Sequence, residues 1–399
     1  MRCGVLHRWL VVPLAAAVLY GGPSALASDA TVTAPAPRPP ALGAPVPLGP
    51  GPDPVVGRPV PPPPAASGQP VIPAGEKASH LALLLPLESR VFRRHAEAVR
   101  NGFQAAAKVQ GGALLPVRVY ALADDPQQAV AVYIKALEAG ARVVVGPLTR
   151  NAASAVAESA AVIVPTLLLN VPDGRPDARA DTYVFSLQIE AEARQVAMRA
   201  VQQGYRRALV VTDDTPLLKR VHQAFVEAFT GLGGAQAVAY AFSPDPSELA
   251  RIKLGVETGT VDMAFLALDF ARARLTRPYL GSLPIFATSL VHTGDAGTLA
   301  AYDLSDVRFL DMPWLLLPDH PAVMSYARPG FGGDVEFDRF YALGIDSFRI
   351  AMSLVTGNTA AEIDGVTGRL SLGRDHYYVR TLTAAQFADG KVTAVRERP

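Results

Sequence analysis

Beyond residue 79 the chain alternates short, continuously apolar runs with longer amphipathic stretches. Leu81 to Leu85, Pro116 to Ala121, Arg142 to Val145 and Val162 to Leu168 lack the polar alternation of a half-exposed antiparallel strand. They predict strands buried on both faces. Helical spacing predicts helices over Arg93 to Val109, Pro126 to Ala139 and Asn151 to Ala160. The resulting βαβαβα order calls for a parallel sheet with helices on both faces.

A second block repeats the pattern. It comprises strand Tyr183 to Leu187, a helix from Glu190 to Gln203, strand Ala208 to Thr212, a helix from Pro216 to Gly231, and strands Gln236 to Phe242 and Asp262 to Leu268. Around the helix at 190 to 203, Ile189, Ala193, Val196, Ala197, Ala200 and Val201 share one face, as packing on a sheet demands. Later, Phe337, Phe340, Tyr341, Gly344, Phe348, Met352 and Val355 keep helical spacing through a long amphipathic helix, and Gly357-Asn358 supplies its stop. Gly368 to Leu382 reads as short strands and turns.

Two such blocks predict two α/β lobes, the first about 79–186 and 318–357, the second about 187–317 and 358–399. In open α/β sheets, functional groups gather at the carboxyl ends of strands, here in the cleft between lobes. Those loops carry Ser89, Thr149, Asn151 and Asn170 in the first lobe, and Asp213, Asp269 and Ser289 in the second, the candidate cleft residues for a small amino-acid-like ligand. Thr149-Arg150-Asn151 opens a helix, so it either holds an anion or simply caps that helix, with Asn151 as cap. Ser89-Arg90 stands in the same kind of position after the first strand. Asp213-Asp214 is either an acid pair for a ligand ammonium or metal, or a cap for the helix that Pro216 begins. Trp314 is expected to be a packed anchor between the lobes.

The first 78 residues change the picture. Arg2 and Arg8, an apolar stretch from Leu10 to Tyr20, and Ala25-Leu26-Ala27 predict a secretory signal over 1–27 with cleavage after Ala27. Residues 28–78 then predict a Pro-rich disordered linker: sixteen of the forty-three residues from Thr31 to Pro73 are proline, which suits an extended tether rather than a core. The one cysteine, Cys3, precedes the apolar run, where a lipobox cysteine would follow it, so no lipid anchor is evident. A single cysteine also excludes disulfides, thiolate metal sites and a cysteine nucleophile downstream.

Lys plus Arg number 37 against 36 Asp plus Glu, a balance that argues against nucleic acid as a partner. No phosphate loop, GxSxG elbow, HExxH helix or GxGxxG fingerprint occurs, and no Ser stands three residues before any Lys. The histidines after the signal (80, 95, 222, 292, 320 and 376) form no i, i+3 or i+4 pair. No cofactor, metal site or catalytic set is therefore expected.

Five segments resemble one known family. They are LALLLPLESRVFRRHAEAVRNGF; ARVVVGPLTRNAASAV with VIVPTLLLN; DMPWLLLP; FDRFYALGIDSFRIA; and IDGVTGRLSL followed by VRTLTAAQFADGKV. Together they resemble penicillin-binding protein activators of the LpoA/LppC type, from about His80 to Val395. The resemblance implies a two-lobe type I periplasmic-binding-protein-like fold, each lobe a parallel sheet flanked by helices. It also implies a non-catalytic periplasmic partner that stimulates a class A penicillin-binding protein, a bifunctional peptidoglycan synthase. The alternative is a periplasmic solute receptor for an amino acid or small peptide, of the branched-chain amino acid receptor type. Where the family's first-strand loop commonly reads Pro-Leu-Ser-Gly, this chain has Pro86-Leu87-Glu88-Ser89-Arg90. Glycine admits close backbone approach to a ligand and bulkier residues fill that space, which favours a degenerate pocket.

Overall fold

In the computed structural model, which describes residues 78–111, 115–174, 181–294 and 297–395, the first apolar run forms the fully buried strand β1 (His80–Leu85). It is followed by α1 (Arg93–Val109), β2 (Val117–Ala121), α2 (Pro126–Glu138), β3 (Ala141–Val145), α3 (Arg150–Glu158), β4 (Thr166–Leu168) and β5 (Thr182–Val184). These strands pair in parallel in the order β2-β1-β3-β4-β5. The signal segment and the proline-rich stretch lie outside the described residues.

The chain continues with α4 (Ile189–Gln202), β6 (Arg207–Thr212), α5 (Pro216–Gly231), β7 (Gln236–Ala241), α6 (Pro246–Glu257), β8 (Met263–Ala267), α7 (Phe270–Thr276), β9 (Ile285–Ala287), α8 (Thr298–Tyr302) and β10 (Val307–Asp311). It returns to the first lobe through α9 (Pro313–Leu316), α10 (Pro321–Met324) and α11 (Val335–Thr356). The last elements are β11 (Ile363–Asp364), β12 (Arg369–Leu372), β13 (Tyr378–Thr381), β14 (Thr383–Ala388) and β15 (Lys391–Ala394). The second sheet has the order β15-β14-β10-β9-β8-β6-β7, parallel except for the antiparallel β14 and β15.

The two large sheets are covered on both faces, which is why inner strands such as β1, β3, β6 and β8 read as nearly unbroken apolar runs; β2, expected to be buried on both faces, is instead an edge strand with no fully buried residue. In the first lobe one core, with Leu83, Val99, Phe103 and Phe348, lies under α1 and α11, and another, with Leu84, Tyr133 and Val156, lies under α2 and α3. In the second, Val210, Phe225 and Phe265 pack under α4 and α5, and Leu209, Leu249 and Leu266 under α6 and α7. Helices α1 and α11 cross in backbone contact. A Cβ on Gly102 would lie 1.9 Å from the Tyr341 carbonyl oxygen, and one on Gly344 2.0 Å from that of Val99. Gly357 ends α11 in the left-handed conformation at φ 70°, as its position after the apolar run predicts.

Three expectations are revised. The strand predicted over Val162 to Leu168 is confined to Thr166–Leu168, since Pro165 removes a ladder donor just before it. The strand predicted to open the second block is β5, which closes the first sheet against β4. Met312, Trp314 and Val323, and also Val366, Leu370 and Tyr378, bury their side chains in the first lobe's core, although most of them fall within the segments expected in the second lobe. The three-stranded antiparallel sheet β11-β12-β13 is tied there by buried Asp346 of α11, which accepts hydrogen bonds from the Val366 and Thr367 amides at 3.1 and 2.7 Å and from the Thr367 hydroxyl at 2.6 Å.

Candidate functional site

The cleft lies where the loops after β3, β4 and β5 face the start of α5. It holds a pocket of about 340 Å³ whose walls include Phe92, Leu148, Thr149, Asn170, Leu217 and Phe340. Its two guanidinium groups are already occupied within the chain. Arg150 meets Asp173 at 3.3 Å and Arg220 meets Glu190 at 2.7 Å.

Of the predicted cleft residues, Thr149 and Asn170 line this pocket. Thr149 takes the N-cap position of α3 without a side-chain cap bond. Asn170 donates through Nδ2 to the Leu148 carbonyl at 3.0 Å and accepts from the Val171 amide at 2.9 Å, so it shapes its own loop. Ser89 is buried, and its Oγ accepts from the Val91 and Phe92 amides at 3.2 and 2.9 Å; it holds the entry to α1. Asn151 is exposed inside α3, with Thr149 in the cap position expected of it.

Asp213 and Asp269, at the ends of β6 and β8, are joined by one cation. Arg272 Nε meets Asp213 at 2.9 Å, and Arg272 also contacts Asp269. Each acid further accepts a local backbone N–H, Asp213 from Thr215 and Asp269 from Arg272. A ligand ammonium is thus replaced by the chain's own guanidinium. Among the described residues no group of three or more His, Cys, Asp or Glu is placed to hold a metal ion, and no helix is long and apolar enough to cross a membrane.

Ser289 belongs to a buried polar cluster at the crossings between lobes. The chain passes between them at 185–188, at Met312 and at Leu382. Arg339, on α11, reaches across to Asp311 at 2.7 Å and to the carbonyl oxygens of Ser289 and His292 at 3.2 and 3.0 Å. Nδ1 of His292 lies 2.8 Å from the same carboxylate of Asp311. Glu192 accepts from the Ser289 amide at 3.1 Å and faces Arg380 Nη2 at 3.5 Å, while Arg380 Nε donates to the Ser186 carbonyl at 3.1 Å.

The two ion pairs of this cluster differ in electrostatic character. Burial alone would raise the Asp311 carboxyl, but Arg339 and His292 hold it down at about 2. Burial likewise works against the Arg339 charge, and Asp311 holds its pKa above the usual arginine value. For the longer pair, burial wins on both sides, pushing Glu192 up and Arg380 down. Asp311–Arg339 is therefore the better-compensated pair. Trp314, the expected anchor, is fully buried beside the second crossing, where its Nε1 donates to Asp338 at 2.9 Å and Arg328 lies 4.2 Å over its ring.

Sequence reading missed this cluster, although a signal existed. Glu192 falls on the buried stripe of α4, four residues before Val196, and Arg380 keeps the inward phase of Tyr378 and Leu382. Charged residues at inward phase are the mark of buried pairs.

Residues 74–255 and 260–390 match the family model described as LppC putative lipoprotein. The chain belongs to the LppC family. Its architecture is that of type I periplasmic binding proteins. Similar to this LppC chain are the penicillin-binding protein activators LpoA of Pantoea ananatis, 27% identical over 69% of the chain and 47% of that protein, and of Pectobacterium parmentieri, 25% identical over 70% and 48%. The chain thus spans about half the length of these curated relatives. Among solved structures, a putative branched-chain amino acid ABC transporter from Chromobacterium violaceum is 34% identical, covering 77% of this chain and 99% of that one, with a TM-score of 0.67. The LpoA C-domain of Haemophilus influenzae, 23% identical over 79% of this chain and all of that one, shares the fold with a TM-score of 0.68.

Proposed function

We propose that the chain is a non-catalytic envelope protein that binds a class A penicillin-binding protein and stimulates peptidoglycan synthesis. Membership of the LppC family, with curated relatives named as activators, carries this reading. The cleft supports it. An amino-acid ligand needs an anchor for its carboxylate and another for its ammonium, whereas Arg150, Arg220, Asp213 and Asp269 are each engaged within the chain. Stimulation without chemistry requires tighter binding to the synthase's active state, and large interface side chains supply such energy. The signal over 1–27 and the proline-rich stretch belong to the same proposal, delivering the domain to the periplasm and letting it reach a partner at a distance.

The test is a rate measurement with purified synthase, lipid-linked precursor and the full chain. Stimulation is expected, and Thr149→Ala combined with Asn170→Ala should leave it within about twofold, below the tenfold that 1.4 kcal/mol would cost. No stimulation of any cognate class A synthase would remove the activator reading; loss with the double variant would move the function into the cleft. The 34% identity to the Chromobacterium protein over nearly all of that chain favours a second reading, a solute receptor. Calorimetric binding of leucine, another amino acid or a short peptide at micromolar Kd, about −8 kcal/mol, would establish it in place of the first.

A further inference from the structure

The fold of a two-lobe receptor invites the expectation of a hinge, and the hinge of this chain is cross-linked by buried polar groups. Each crossing between lobes is held by a polar side chain. Arg380 grips the first crossing at the Ser186 carbonyl and leads directly into the third. Gln195 of α4 then holds the third from the other side, donating to the Arg380 carbonyl at 2.8 Å and accepting from the Leu382 amide at 3.1 Å. Asp311 abuts the second crossing, where its Oδ1 accepts from the Met312 amide at 2.8 Å, and Arg339 binds that carboxylate from a helix of the first lobe.

All of Arg339's acceptors, on Ser289, His292 and Asp311, lie on second-lobe elements, while Arg339 itself is carried by α11 in the first. A rotation of one lobe against the other moves the guanidinium away from all of them together. Glu192, Asp311, Ser289 and His292 are buried, so water does not stand ready to replace the lost bonds. We infer that Arg339–Asp311 and Arg380–Glu192 act as a clasp that fixes the angle between the lobes, so that the domain presents one rigid two-lobe surface and its cleft does not open and close around a ligand. This inference does not depend on the identity of any partner.

Interlobe distance measures it directly. In the full chain with Cys3→Ser, which removes the only native cysteine, spin labels at Val91→Cys and Asp214→Cys stand on opposite rims and are well exposed. Pulsed dipolar spectroscopy should give a single narrow distance, unchanged by leucine. Two distances, or one that moves with leucine, overturns the clasp. The double variant Asp311→Asn, Arg339→Met removes both charges together and so avoids an unpaired buried ion. Checked by circular dichroism for folding, it should lose the single narrow distance; a folded double variant with the wild-type distribution overturns the proposal. Should that variant not fold, Glu192→Gln with Arg380→Met carries the same comparison. Amide exchange of the unaltered chain decides independently, since the amides of Asp311, Met312 and Leu382 should be as protected as those of β8, and exchange at the rate of open loops would refute the clasp.

Discussion

Gly344→Ala is the sharpest probe of how the first lobe is closed. The added Cβ would lie 2.0 Å from the Val99 carbonyl oxygen and 2.9 Å from the Phe103 amide nitrogen, both backbone atoms of α1 that cannot swing aside. Reaching ordinary contact at 3.4 Å requires the helices to part by about 1.4 Å. A gap of even ~1 Å forfeits up to half of each contact's dispersion well, and a crossing with as many atom pairs as one buried leucine makes, about 40–60, loses about 3 kcal/mol. Alanine returns about 1 kcal/mol through helix propensity, so the expected net loss is about 2 kcal/mol. Gly255→Ala is the matched control. It sits inside α6 and gains the same propensity, but its Cβ meets the outer end of a side chain rather than backbone, the Tyr240 hydroxyl and Cζ, and that half-buried side chain can shift towards solvent. Urea unfolding read through Trp314, which shares the core under α11, should move to lower denaturant for Gly344→Ala and stay level or rise for Gly255→Ala. Equal midpoints for the two variants, or a Gly344→Ala protein as stable as the parent, would refute the reasoning.

Two further outcomes are expected. Ser89→Ala should cost about 1–2 kcal/mol of stability, because the Val91 and Phe92 amides lose their acceptor, while leaving synthase stimulation unchanged; a selective loss of stimulation in a stable variant would return Ser89 to the cleft. Asp311, held at about 2 in the fold against an ordinary value near 3.8, binds a proton more readily once unfolded. It therefore contributes about 2 kcal/mol above pH 4 that fades as pH falls through 2, and Asp311→Asn should flatten that part of the acid-unfolding profile; a profile identical to the parent's would refute the pairing.

Much of the fold was legible because parallel strands and the helices over them leave strong periodic signals. Helices Arg93–Val109 and Pro216–Gly231 fall on their predicted bounds, the second because Pro216 marks its start. Between β7 and β10 only β8 was legible, as the strand expected over Asp262 to Leu268. Ile285–Ala287 is too short to show a period, and α6 buries only Leu249 and Ile252 fully, leaving a weak stripe. The candidate site was legible in its loops but not in its charges. Thr149 and Asn170 were placed by the end of a strand, whereas Arg272, which neutralises Asp213 and Asp269, lies a whole βαβ excursion away from the first of them. Glu192 and Arg380 meet across most of the second lobe's sequence, a pairing that periodicity does not encode.

The backbone contact between α1 and α11 also sets a timetable. A chain made from its N-terminus completes β1, α1 and the rest of the first sheet early, yet the helix that covers Leu83, Val99 and Phe103 is its last long element. At synthesis rates of about 5–20 residues per second, α1 waits on the order of 10 to 50 s for α11. The second sheet waits as well, since β14 and β15 come last of all. Neither lobe can be finished alone. A chain cut short before Val335 would leave an open apolar face on the first lobe and an unpaired β10 edge on the second, the two features through which an unfinished chain associates with its neighbours, and both stay open until the final sixty or so residues arrive.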